Sequence, residues 1–211
     1  AFEKSLNIPE SGNGMPDILN ECLYELKWLL QMQNEEGGVY HKQCTLRHAD
    51  FVMPEEDTAP LFLLPVTTIA TADLAAVCAL ASRIYRPYDE AYANTLLFAA
   101  EKSYRWLNEN PWFLPVFNPK GCGTGGYYER DDLSNRFWAS AEMYATTGEE
   151  SFYSDMMKLY KLPFPKTALG YGEVGGLGQM ALLTTKFGVC EKLKNEIRKD
   201  IIEEAERLKK E

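Results

Sequence analysis

NIPESGNGMPDILNECLYELKWLLQMQNEEGGVYHK, residues 7–42, joins a Gly/Pro-rich loop, an amphipathic segment and a histidine-bearing turn in one unbroken run. Asn13 and Gly14 are turn formers, and Pro16 stands where a first helical turn tolerates a missing N–H. Asp17 and Glu21 place negative charge near the positive end of a helix. Apolar residues then recur at Ile18, Leu19, Cys22, Leu23, Leu26, Leu29, Leu30 and Met32, the spacing of a helix with one broad buried face. That helix is expected to close near Gln33. Gly37 and Gly38 punctuate the chain, and Val39, Tyr40 and His41 form a short extended or turn segment that can present the imidazole.

The same helical period returns downstream. It predicts helices over 15–33, 67–85, 88–109, 132–147, 149–161, 173–186 and 190–210, seven in all, and an all-α fold. Two of these segments repeat: Asp73, Leu74 and Tyr85 match Asp132, Leu133 and Tyr144 at an offset of 59 residues. A weaker echo places Glu173, Val174 and Thr185 in the same frame 41 residues further on. Repeated helical pairs with variable loops point to an α/α toroid or solenoid rather than a sheet protein. The segment 67–85 carries alanines on several faces, which implies close approach to other helices, as in an inner ring. Three long connections, 35–66, 110–131 and 162–172, are rich in aromatics and glycine. Loops of that length usually carry function, and these three are expected to gather on one rim.

Composition bounds the function. The chain has 211 residues and a net charge of −9, which argues against nucleic acid, since phosphate binding rests on clustered Lys and Arg. The basic residues of 192–210 alternate with Glu and Asp and read as a solvated helix face. No apolar stretch is expected to reach the length of a membrane span. The five cysteines show no CxxC pair and read as buried free thiols. The chain opens at Ala1 with no initiator Met, charged leader or signal-like core, so its beginning reads as excised.

Several constellations could carry chemistry. Gly121/Gly123/Gly126 and Gly170/Gly172/Gly175 match GxGxxG, but neither follows a strand and opens a βαβ unit, so close backbone packing is the better reading. His41, Cys44 and His48 lack a fourth zinc ligand. The paired acids Glu35/Glu36, Glu55/Glu56/Asp57 and Asp131/Asp132 read as solvated or helix-capping groups, Asp131 and Asp132 standing just before a helix. Aromatics crowd the loops at Trp112, Phe113, Phe117, Tyr127, Tyr128 and Tyr171. Sugar rings offer C–H faces that stack on aromatic planes, so Tyr127 and Tyr171 are candidates for an oligosaccharide cleft, loop packing being the alternative. Phe113 and Phe117 lean to packing.

With these segments in order, the chain resembles the catalytic domain of family 9 glycoside hydrolases, the inverting cellulases built as a six-hairpin α/α barrel. The matching stretches are NIPESGNGMPDILNECLYELKWLLQMQ, GGVYHK, FVMPEED, TTIATADLAAVCALASRIYRPYDEAYA, DLSNRFWASAEMYATTGE and YGEVGGLG. They span nearly the whole chain and look most like clostridial-type endoglucanases. The resemblance implies one partial catalytic domain over 1–211, an incomplete (α/α) barrel of about seven helices, and a secreted parent enzyme that hydrolyses β-1,4-glucosidic bonds in cellulose or related β-glucans.

It also implies what the segment lacks. In the family, an Asp-Ala-Gly-Asp motif upstream of the first matching helix supplies the base, and a Glu near the domain's end supplies the acid. Neither is in this chain, so no residue here is assigned as catalytic and the chain alone is expected to show no turnover. The substrate-binding residues carried over are His41, Tyr127 and Tyr171. Family members often bind calcium through acids around the segment matching DDLSNR, with help from the acid matching Glu173. Asn135 and Arg136 replace the usual Asp-Glu, so no metal is expected, and Arg136 is expected to pair with Glu173 or a nearby carboxylate in place of the ion. The expected partner is a β-glucan, with no membrane or nucleic acid, and with self-association through exposed barrel edges. A reading from another class is a non-catalytic helical-hairpin module that binds carbohydrate or protein.

Overall fold

A computed structural model describes residues 6–210, in which the helices are α1 (Asp17–Gln31), α2 (Thr68–Tyr85), α3 (Glu90–Glu109), α4 (Leu133–Thr147), α5 (Glu150–Tyr160), α6 (Gly175–Thr184) and α7 (Glu191–Leu208). Each falls on a segment that periodicity predicts. Local chemistry sets the boundaries. The Thr67 hydroxyl accepts from the Ala70 N–H at 3.2 Å and caps α2, and the Asp89 carboxylate caps α3 through the Tyr92 N–H at 2.9 Å. Gly148, at φ +75°, closes α4 in the left-handed conformation that glycine adopts without a Cβ clash.

Packing follows side-chain size. Ala72, Ala75, Ala76, Cys78 and Ala79 on α2 are wholly buried, which lets α3 and α4 close on it from two sides. Helix α4 meets α6 in turn, and at Gly178 an added Cβ would lie 2.6 Å from the Phe137 ring. The result is a row α2–α4–α6, with α3 against α2, α5 against α4 and α7 against α6: three successive helical hairpins. The sequence repeat has a physical counterpart here. Tyr85 Oη donates to the Leu19 carbonyl at 2.5 Å, and Tyr144 Oη donates to the Gly188 carbonyl at 2.6 Å. Each tyrosine thus ties the end of a row helix to a neighbouring segment. Between α2 and α4, Arg83 pairs with Glu142 at 2.6 Å, and Trp138 Nε1 donates to the other carboxylate oxygen at 3.2 Å.

Four short strands, which an all-α reading passes over, stiffen the connection 32–67. β1 (Val39–Tyr40) pairs antiparallel with β4 (Val66–Thr67), and β2 (Gln43–Cys44) with β3 (Phe62–Leu63). They are two residues each, too short to show an alternating pattern in sequence. Their loop, 45–61, contains one 3₁₀ turn, Pro54–Glu56, and exposes Phe51 completely.

Three expectations need correction. The broad apolar face of α1 is only partly covered: within the helix Leu26 is buried, while Ile18 and Cys22 are exposed, because α1 meets only α2 closely among the described helices. The cysteines are not uniformly buried: Cys78 is buried, Cys44 and Cys122 are half-buried, and Cys22 and Cys190 are exposed. Helix α2, at 18 residues and mean hydropathy 1.3, is long and apolar enough to cross a membrane, contrary to the expectation that no stretch reaches that length; 67% of it is buried inside the fold. Alanine supplies both the hydropathy and the close packing.

Candidate functional site

The three long connections meet, as expected, and Lys42 holds two of them together. Its Nζ donates to Asn118 Oδ1 at 2.9 Å, Thr124 Oγ1 at 3.1 Å and the Gly125 carbonyl at 2.6 Å. Three acceptors use all three protons of an ammonium. The hairpin that follows α1 is thereby fastened to the connection between α3 and α4. Sequence reading passed over Lys42, although it ends the GGVYHK segment; nothing in a lone lysine announces acceptors 76 to 83 residues away.

Beyond Lys42 stands Tyr127, whose ring centroid is 5.9 Å from Nζ. Its backbone φ is +33°, a region bulky residues rarely adopt, and such strain concentrates at ligand sites. Tyr127 meets Tyr171 edge to face, with centroids 6.2 Å apart and planes at 79°. Both rings are largely exposed, 62% and 75%. Two of the three expected contact residues are therefore neighbours from separate loops, and their surfaces are available rather than folded onto the core. Phe117, expected to pack, is also exposed, while Phe113 is half-buried.

His41 sits on the hairpin next to Lys42. Its Nδ1 lies 2.7 Å from the Pro65 carbonyl oxygen, which can only accept, so Nδ1 carries the proton and Nε2 holds the lone pair. Burial lowers the imidazole's pKa, Lys42 adds to that, and the Pro65 hydrogen bond opposes it. The ring is thus neutral near pH 7. Among the described residues Nε2 has no partner, and it is covered from solvent.

Carboxylates collect beside this aromatic pair. A cavity of about 680 Å³ is lined by Tyr128, Glu129, Tyr171 and Glu173, with Glu204 and Leu208 of α7 at its side. Burial, then the negative charges of Asp73, Glu173, Asp131 and Asp132, push the Glu129 carboxyl up to about 7. Its Oε2 is buried without a partner among the described residues. Asp73, on α2, is pushed up to about 6 by burial, against a hydrogen bond from Asn135 Nδ2 at 2.9 Å. In sequence Asp73 marks only a repeat position and Glu129 marks nothing, because their charges become neighbours only when α2 and the loop before α4 pack. Of the acids read as caps, Asp131 accepts from the Leu133 N–H at 3.0 Å, while Asp132 has another partner, Arg136.

The profile described as Glycosyl hydrolase family 9 matches residues 2–210. The chain belongs to glycosyl hydrolase family 9. A cellodextrinase of Butyrivibrio fibrisolvens is 42% identical over 217 residues, a match that takes in 95% of this chain and 39% of that protein. A metagenome-derived family 9 endoglucanase superposes with a TM-score of 0.88 at 33% identity, over 96% of this chain and 37% of that one. AaCel9A, solved in complex with a cellobiose-like isofagomine, superposes with a TM-score of 0.86 at 33% identity, over 92% and 37%. The chain therefore spans about two-fifths of these relatives, and its three hairpins with α1 are part of a family 9 (α/α) barrel.

The calcium that family 9 implies does not fit the side chains here. Arg136 Nε donates to Asp132 Oδ2 at 2.9 Å, and its two terminal nitrogens donate to the Leu107 carbonyl at 3.1 Å and the Asn110 carbonyl at 2.8 Å. A fixed guanidinium thus occupies one of the segment's two carboxylates; the partner is Asp132, within the range of the expectation, and not Glu173. Among the described residues no three His, Cys, Asp or Glu side chains converge as a metal would require. His41, Cys44 and His48 are therefore not a ligand set.

Proposed function

We propose that this chain supplies substrate contacts in the catalytic domain of a secreted family 9 enzyme that cleaves β-1,4-glucans by inversion. The observation that carries this reading is the exposed Tyr127–Tyr171 pair, assembled from two loops and braced by Lys42. Aromatic faces at an angle can cradle a glucosyl unit, and His41 stands on the adjoining hairpin beside Lys42, its Nε2 covered, so the aromatic pair carries the contact. Hydrolysis with inversion needs a general acid and a general base roughly 6.5–9.5 Å apart with water between them. In this reading both belong to parts of the parent enzyme outside the chain, and Glu129, Asp73 and the other carboxylates beside the cleft shape its electrostatics.

Calorimetry with cellotetraose and cellopentaose tests the reading in the protein that contains this chain. Aromatic contacts contribute about 0.5–1.5 kcal/mol each beyond area burial, so Tyr127→Ala and Tyr171→Ala are each expected to weaken binding roughly 2- to 13-fold. Binding unchanged in both variants would refute the assignment. The chain alone is expected to leave carboxymethylcellulose intact. Its exposed Ile18, Tyr24 and Trp28 on α1 and Ile202 on α7 are expected to drive self-association of the isolated chain, visible by light scattering.

A further inference from the structure

Cys44 and Cys122 lie 78 residues apart in sequence, yet their Sγ atoms are 3.9 Å apart. The backbones that carry them are already joined, since the Gly123 N–H donates to the Leu46 carbonyl at 2.8 Å. Lys42 fastens the same two segments a few residues away. The sulfurs need to approach by about 1.9 Å to reach bonding distance, a displacement that side-chain rotation supplies when the backbones stay in place.

The polar surroundings favour the reactive form. Thr124 Oγ1 is 3.3 Å from each sulfur and accepts a hydrogen bond from Lys42 Nζ at 3.1 Å. Its own single proton is then free to point at a thiolate. The Thr124 hydroxyl above all holds the Cys122 thiol below its usual range against the opposing effect of burial, with lesser help from the Thr124 backbone, Cys44 and Lys42. Thiolate character governs attack on a disulfide. The remaining thiols share none of this: Cys78 is buried and pushed up to about 12 by burial, and Cys22 and Cys190 are exposed on α1 and at the start of α7.

We propose that Cys44 and Cys122 form a disulfide that cross-links the histidine hairpin to the loop carrying Tyr127. The oxidant is a low-molecular-weight disulfide such as oxidised glutathione. The Cys122 thiolate attacks one of its sulfurs, forms a mixed disulfide and expels one thiolate. Cys44, as thiolate, then attacks Cys122 Sγ and expels the second. Two protein thiols lose two protons and two electrons, and one small disulfide becomes two small thiols. The bridge stiffens the segment just before the strained Tyr127, and it forms or fails to form irrespective of what the cleft binds.

The test equilibrates the purified protein in glutathione buffers of graded redox ratio, blocks free thiols with N-ethylmaleimide and maps unreduced peptides by mass spectrometry. The expected result is a Cys44–Cys122 linked peptide pair, lighter than its two thiol peptides by two hydrogens, with Cys22, Cys78 and Cys190 alkylated. Cys44→Ser is expected to leave Cys122 alkylated or glutathionylated. The oxidised protein is expected to melt above the reduced one, a difference that vanishes in Cys44→Ser and in Cys122→Ser. Cys44 and Cys122 both alkylated at the most oxidising ratio, or Cys122 paired as readily with Cys22 or Cys190, would overturn the proposal.

Discussion

Replacing Arg136 by methionine keeps much of the side chain's volume and removes its charge and its three hydrogen bonds. The Asp132 carboxylate, whose side chain is only 7% exposed, then loses its cation, and the Leu107 and Asn110 carbonyls at the end of α3 each lose a guanidinium donor, Leu107 keeping the Asn110 N–H. Breaking a buried ion pair by removing one partner costs about 3–5 kcal/mol. The two carbonyls sit at a helix terminus, where water can enter the space vacated by the guanidinium, so they add little beyond that range. At 2–4 °C per kcal/mol for a chain of this size, Arg136→Met is expected to lower Tm by roughly 6–20 °C in differential scanning calorimetry. Arg136→Met/Asp132→Asn is expected to recover more than half of the loss, since no buried charge remains stranded. Calcium at millimolar concentration is expected to leave the wild-type midpoint unchanged. A Tm drop of less than about 2 °C in the single variant, or stoichiometric calcium in the purified wild type, would refute the substitution of guanidinium for ion.

Other outcomes follow from the same packing. The folded chain holds Glu129 and Asp73 up at about 7 and about 6, from ordinary values of 4.5 and 3.8, so it retains protons that the unfolded chain has released. Their contribution to stability is full below the unfolded values and is lost as pH rises through the folded ones; Glu129→Gln is therefore expected to flatten the fall in Tm between pH 4.5 and 7, and an unchanged slope would count against the acidic cluster. At Gly175 an added Cβ would lie 2.5 Å from the Pro165 carbonyl oxygen, whereas Gly170 faces open space. Urea unfolding is expected to show Gly175→Ala costing about 1–3 kcal/mol and Gly170→Ala within about 0.5 kcal/mol of wild type. Tyr85→Phe and Tyr144→Phe are each expected to cost about 1 kcal/mol by the same measurement, equal because both lose one hydroxyl bond to a backbone carbonyl.

The helices were legible because their information is local. Every helix coincides with a run of apolar residues at helical spacing, and a Thr67 or Asp89 cap needs only the next three residues to act. The repeat was legible for a related reason: Tyr85 and Tyr144 do the same work in equivalent hairpins, so the same residue stands at the same place. The strands were not, since β1 to β4 are held by partners 18 or more residues away and none is long enough to alternate. The breadth of the α1 face was readable, but how much of it is covered depends on which helices stand beside it, and α2 alone covers only part.

At the candidate site the division is the same. His41, Tyr127 and Tyr171 could be named from residue type and from resemblance to family 9, because an aromatic in a long glycine-rich loop is informative wherever the loop lands. The sequence by itself determined the helices, the order of the hairpins and the family. Tertiary structure alone decided that Tyr127 meets Tyr171, that Lys42 braces them, that Arg136 takes Asp132 rather than Glu173, and that Cys44 faces Cys122. Helical periodicity acts over a few residues and is written into them, whereas charge pairing, thiol proximity and aromatic contact act across space, between residues that only packing brings within a few ångströms.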